Sequence, residues 1–195
     1  MRRTRARAEQ RAQISARTDA MRQERNLDAL APAELVDRLR DGDDLVARAA
    51  TQTLLGRGAA ALPALTHGLL HHEDAGTRAA CALLLDHLGD ATCVAPLVQA
   101  IENDSAEAVR RCALHALVCD GCKTCPLAAD AVAPLVRCAL FDRSIAVRRR
   151  AVFYLGRSPA AGDVRAVAAL QNILARERDP ILLGRARRAL LGAPA

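Results

Sequence analysis

The chain has 195 residues, 51% of them hydrophobic but 2% aromatic, with 43 Ala, no Trp and a formal net charge of +6. Abundant Ala with so few aromatic side chains excludes an all-β fold, which draws on β-branched and aromatic residues, and favours close-packed helices. No run of 18 apolar residues exists, so no transmembrane helix is expected; the polar, basic start lacks the apolar stretch of a secretory signal, and a cytoplasmic protein without membrane contact is expected.

From the N-terminus, residues 1–27 read as a basic, Arg-rich extension, helical or disordered. Arg2, Arg3, Arg5, Arg7, Arg11, Arg17, Arg22 and Arg25 stand against Glu9, Asp19 and Glu24, whereas the remaining body is almost neutral. Ile14, Met21 and Leu27 are too few to make an apolar face, so the segment reads as a solvated polar arm. Its guanidiniums also suit nucleic-acid phosphates, although no interleaved aromatics support base stacking. Lys123 is the one Lys among 28 basic residues, so Arg at any given position reflects a chain-wide bias rather than a choice of bidentate geometry.

Residues 28–195 are organised by an internal repeat. Asp is followed six residues later by Arg at Asp104/Arg110, Asp142/Arg148 and Asp179/Arg185. Pro stands eight residues before the Asp at Pro96 and Pro134, and Val precedes the Arg at Val109 and Val147. Looser copies occur at Asp44/Arg48 and at Pro63, Asp74/Arg78. The spacing predicts five helix pairs in chain order: 32–40 with 44–56, 59–71 with 74–88, 91–103 with 105–118, 127–141 with 144–156, and 161–176 with 179–191. The first helix of each pair is termed A and the second B. A pair cannot bury its own apolar face, so the pairs are expected to stack, with the recurrent Asp and Arg cross-linking neighbouring turns.

These residues resemble the HEAT repeat, including the HEAT-like repeats of bilin lyase subunits. The resemblance implies an all-α, right-handed α-solenoid of about five helix pairs, with the Pro in helix A, the Asp in the turn and Val-Arg in helix B. It also implies that helix B lines the concave face. Arg111, Arg149, Arg150, Arg187 and Arg188 then become candidates for a basic partner or nucleic-acid surface. HEAT-like DNA glycosylases use such a surface but rely on aromatic and acidic pocket residues. A fold does not fix a function.

The repeat also sorts the seven Cys. Cys81, Cys93, Cys112 and Cys138 fall where other units carry small residues such as Ala113, Ala131, Ala80 and Ala100, and read as small packing groups. Cys119, Cys122 and Cys125 lie instead in an insert at 118–127 between the third and fourth pairs, spaced C-x2-C-x2-C. Such spacing lets thiolates turn toward one ion. His115, four residues before Cys119, shares its helical face and is the first choice of fourth ligand, followed by Cys112 and Cys138. Zinc is the preferred occupant; an iron–sulfur cluster fits less well, because the ferredoxin pattern carries a further Cys three residues on. A redox dithiol and three Cys without a ligand role stay open.

No phosphate loop, dinucleotide fingerprint, zinc-protease helix or nucleophile elbow is present. His71, His72, Glu73 and Asp74 read as a polar turn. The expected function is a non-enzymatic scaffold that binds a partner protein on its concave face, with a structural or sensory metal site in the Cys loop. A nucleic-acid-associated protein and a redox-responsive regulator are the alternatives.

Overall fold

Pro63, Pro96 and Pro134 lie in the first turns of the second, third and fourth helices A, where the missing N–H costs no helical hydrogen bond. The computed structural model describes residues 2–119, 121–122, 130–157 and 160–192, with side chains from residue 6. An N-terminal helix α1 (Arg2–Glu24) precedes five helix pairs. These are α2 (Pro32–Asp37) with α3 (Asp44–Arg57), α4 (Leu62–His71) with α5 (Ala75–Leu88), α6 (Val94–Asn103) with α7 (Glu107–Val118), α8 (Val132–Phe141) with α9 (Ile145–Leu155), and α10 (Val164–Arg176) with α11 (Pro180–Leu190). Among the described residues there is no strand.

Helices A stack on helices A and helices B on helices B, giving two layers of an α-solenoid. Between them runs one continuous core of small and branched side chains, including Leu65, Leu97, Leu114, Leu135, Leu155 and Leu182, all essentially inaccessible. Short connections follow from side-chain caps. Asp74 accepts from Thr77 N–H at 2.6 Å and Asp179 from Leu182 N–H at 2.8 Å. Helices α4, α6 and α10 start three residues later than the spacing predicts and α8 five residues later. Helix α10 begins at Val164 because Asp163 caps it through Arg165 N–H, and α8 begins at Val132 because Asp130 accepts Val132 N–H.

The repeat's charged residues form a ladder between neighbouring pairs. Arg78 of the second pair reaches Asp104 of the third (Nε–Oδ2 2.7 Å), and Arg110 of the third reaches Asp142 of the fourth (2.8 Å). At the last junction the register changes: Arg149, not Arg148 or Arg185, holds Asp179 (Nε–Oδ1 3.0 Å), while Arg148 turns to Glu177. Arg149, expected on the sequence to offer a free surface charge, is thus a rung of this ladder.

Helix α1 lies along α3. Thr18 is buried there, its hydroxyl donating to Ile14 O at 2.8 Å, and Met21 packs on the core. Asn26, with φ of 51°, turns the chain out of α1. Arg57 at the end of α3 then fastens the connection by donating to Asp28 O and Leu30 O. Among the described residues no helix is long and apolar enough to cross a membrane.

Candidate functional site

Two features of the helix B layer stand apart from what the repeat requires. The first is a side-chain cluster at the C-terminal ends of α5 and α7. His115 lies in the last turn of α7, and Cys119 caps that helix through its N–H to His115 O at 2.9 Å. Cys119 itself is extended, and Cys122 lies back at the helix end beside His115. The two sulfurs lie 3.3 Å apart, and Cys122 Sγ is 3.7 Å from His115 Nε2.

Asp86 of α5 completes the group. Its carboxylate, 2% exposed, lies 3.0 Å from His115 Nε2. One ligand atom from each of Asp86, His115, Cys119 and Cys122 falls within 4.8 Å of every other. Tyr154 of α9 contributes from a third helix B, its hydroxyl 2.5 Å from His115 Nδ1. Hydrogen bonding with Cys119 and then with the Asp86 carboxylate holds the proton on the Cys122 thiol and pushes it up to about 12, with burial and nearby negative charge adding to the effect.

The structure therefore brings together three of the residues singled out on the sequence, His115, Cys119 and Cys122, and adds Asp86. Cys125 lies outside the described residues. Asp86 could have been found by the repeat itself: eight residues after the repeat Arg, the first, third and fourth pairs carry Gly56, Val118 and Gly156. An acid in that register, at the carbonyl end of a helix, is not something the fold requires.

The other Cys sit among packing side chains. Cys81, Cys93 and Cys138 are buried and Cys112 is half-buried. Burial pushes the Cys81 and Cys138 thiols up to about 12 and that of Cys112 upward. His72 serves its turn, accepting Asp74 N–H on Nδ1 at 3.0 Å with Asp37 3.5 Å from Nε2.

The second feature is a basic strip along α7, α9 and α11. Arg111 is exposed beside Glu107 at 3.6 Å. Arg150 lies over the Tyr154 ring, and its Nε is buried without a hydrogen-bond partner among the described residues. Arg185 packs over Phe153, as does Arg157. Burial lowers the Arg185 pKa, and the like charges of Arg149, Arg188 and Arg150 lower it further. Arg188 is exposed in the same group. Arg187 is exposed too, but two residues from Arg185 it stands on the opposite side of α11. Of the five expected surface arginines, Arg111, Arg150 and Arg188 fall in the strip, Arg187 faces away and Arg149 is tied to Asp179. Arg185 joins the strip; the sequence had assigned it to the ladder.

Stacked helix pairs linked by an Arg–Asp ladder define a paired-helix α-solenoid. The family model for HEAT repeats matches residues 32–118 and 94–191, and the chain belongs to the HEAT-repeat family. No curated protein sequence matches it. Among solved structures it is similar to a chain in the complex of CpcE and CpcF of phycocyanin lyase from Nostoc sp. PCC7120. The two are 20% identical with a TM-score of 0.63, over 82% of this chain and 97% of that one. At that identity the likeness is one of fold.

Proposed function

We propose that the protein is a non-enzymatic HEAT-repeat adaptor that holds an acidic segment of a partner protein on the helix B face of its last three repeats. One observation carries this reading: the Arg185 guanidinium is half-buried among Arg149, Arg150 and Arg188, with Asp179 already engaged by Arg149. Like charges held this close repel, and a bound carboxylate relieves that repulsion through charge-assisted, bidentate hydrogen bonds. Phe153 and the exposed Ile181 add apolar surface to these helices B. A partner protein is favoured over a nucleic acid because the similar HEAT-like chain belongs to a complex of two proteins, CpcE and CpcF.

The test is chemical cross-linking in extract of the native host, comparing wild type with Arg150→Glu/Arg188→Glu. The expected result is a defined protein adduct that the double variant loses and that survives replacement of Arg2, Arg3, Arg5 and Arg7 by Gln. An adduct unchanged by the charge reversal would overturn the reading. So would a labelled oligonucleotide that binds wild type with steep salt dependence and loses affinity with the N-terminal arginines.

A further inference from the structure

We propose that Asp86, His115, Cys119 and Cys122 form a four-coordinate zinc site joining the ends of the second and third helices B to the start of the Cys-rich insert. The site is independent of the partner reading.

Tetrahedral zinc with Zn–S near 2.3 Å and Zn–N or Zn–O near 2.0 Å separates its ligand atoms by about 3.3–3.8 Å. The protein holds the Asp86 oxygen 3.0 Å from His115 Nε2, the two sulfurs 3.3 Å apart, and Cys122 Sγ 3.7 Å from that same nitrogen. Small side-chain shifts convert these contacts into the edges of a coordination tetrahedron. The donor set of two sulfurs, one imidazole and one carboxylate suits a borderline-soft d10 ion. Calcium and magnesium, which take oxygen ligands, are disfavoured by the two sulfurs.

Electrostatics point the same way. Helix α5 ends at Leu88 and α7 at Val118, so Asp86, His115 and Cys119 gather at two helix C-termini, where backbone carbonyls concentrate partial negative charge. The buried Asp86 carboxylate, placed there beside the two thiols, raises the negative potential further. A divalent cation at their centre neutralises the ligands and interacts favourably with both helix ends.

The outer contacts fit as well. Metal-binding His residues commonly engage a polar partner through the second ring nitrogen, which sets tautomer and orientation. Tyr154 stands in that place, with its hydroxyl at Nδ1 while Nε2 faces Asp86 and Cys122. Four protein ligands leave no open coordination position, so the ion is structural. It ties α5 to α7 and fixes where the insert leaves the solenoid.

The experiment is elemental analysis of the full chain, purified reduced, without chelator, from zinc-supplemented culture. It is paired with absorption spectra after exchange into cobalt. The expected result is about one zinc per chain and a thiolate-to-cobalt charge-transfer band. Cys122→Ser should abolish both, and Asp86→Ala or His115→Ala should weaken zinc binding by at least about tenfold. Cys112→Ser and Cys125→Ser should retain the metal. Zinc below about a tenth of an equivalent in folded, reduced wild type would overturn the proposal. Iron with sulfide would also overturn it, as would loss of zinc in Cys125→Ser combined with its retention in Asp86→Ala. Helical circular dichroism identifies variants that fail to fold, and the wild-type stoichiometry decides the question without them.

Discussion

Arg110 of the third repeat grips Asp142 of the fourth with both sides of its guanidinium, Nε to Oδ2 and Nη2 to Oδ1 each at 2.8 Å. Its remaining nitrogen donates back to Asp104 O and Ser105 O, while Asp142 Oδ1 also accepts Ser144 N–H at 2.7 Å. Both side chains are nearly inaccessible, at 4% and 6% exposed. Removing one partner leaves the other charge buried. Arg110→Ala should therefore cost about 3–5 kcal/mol of stability in urea denaturation. The exposed pair Arg165–Asp130 gives the contrast, and Arg165→Ala should leave the denaturation midpoint almost unmoved.

Acid should loosen the same ladder. Burial pushes the Asp142 carboxyl up, but the Arg110 guanidinium and Ser144 N–H outweigh it and hold it below the ordinary carboxylate range. Asp104 is held down in the same way by Arg78 and Ala106 N–H. Depressed folded-state values mean that the unfolded chain binds more protons in acid. Their contribution is present in full above the unfolded carboxylate value, about pH 3.9, and disappears as pH falls through the folded values. Stability measured from pH 6 down to pH 2 should fall most steeply below about pH 4. Asp142→Asn should flatten that limb by up to about 1.4 kcal/mol per pH unit, and an unchanged slope would contradict this assignment.

Helix packing makes a sign-opposed pair of predictions at two glycines. A Cβ on Gly68 of α4 would come 2.8 Å from both Cys81 Sγ and Val36 Cγ1, whereas one on Gly56 of α3 meets nothing within 4 Å. Ala gains about 1 kcal/mol over Gly in a helix interior, but overpacking a tight contact costs about 1–3 kcal/mol. Gly56→Ala should raise Tm and Gly68→Ala should lower it. Cys81→Ala in the Gly68→Ala background should recover part of the loss, measured as a double-mutant cycle.

The repeat explains why the architecture was legible in the sequence. Pro63, Pro96 and Pro134 mark the first turns of helices A, and Asp104 and Asp142 mark the turns that receive the ladder. The cross-links between neighbouring units were legible as well: the recurrent Arg and Asp pair from one unit to the next, because a carboxylate in one turn faces the preceding helix B. The partner at the last junction was not. At the last junction, adjacent Arg148 and Arg149 compete, and sequence spacing does not choose between them. At the candidate site, local spacing found His115, Cys119 and Cys122 because all three lie at one helix end. Asp86 is 29 residues upstream of His115 on another helix, so the contact belongs to stacking rather than to any motif.

Tyr154 offers a final test of how the helix B layer supports that cluster. Its hydroxyl meets His115 Nδ1, and its ring lies beneath Arg150 and beside Phe153. Tyr154→Phe keeps the ring and removes the hydroxyl, so packing should change little while the imidazole loses the partner that sets its orientation. Loss of such an outer contact typically costs 10–100-fold in metal affinity. Competition with a chromogenic chelator should therefore show zinc affinity reduced by about 10–100-fold. The cobalt spectrum should still report two thiolates, because all four ligands are retained. Equal affinity in Tyr154→Phe would mean that His115 is oriented by its own helix alone; a lost thiolate band would mean that Tyr154 holds the Cys119 end of the cluster rather than the imidazole.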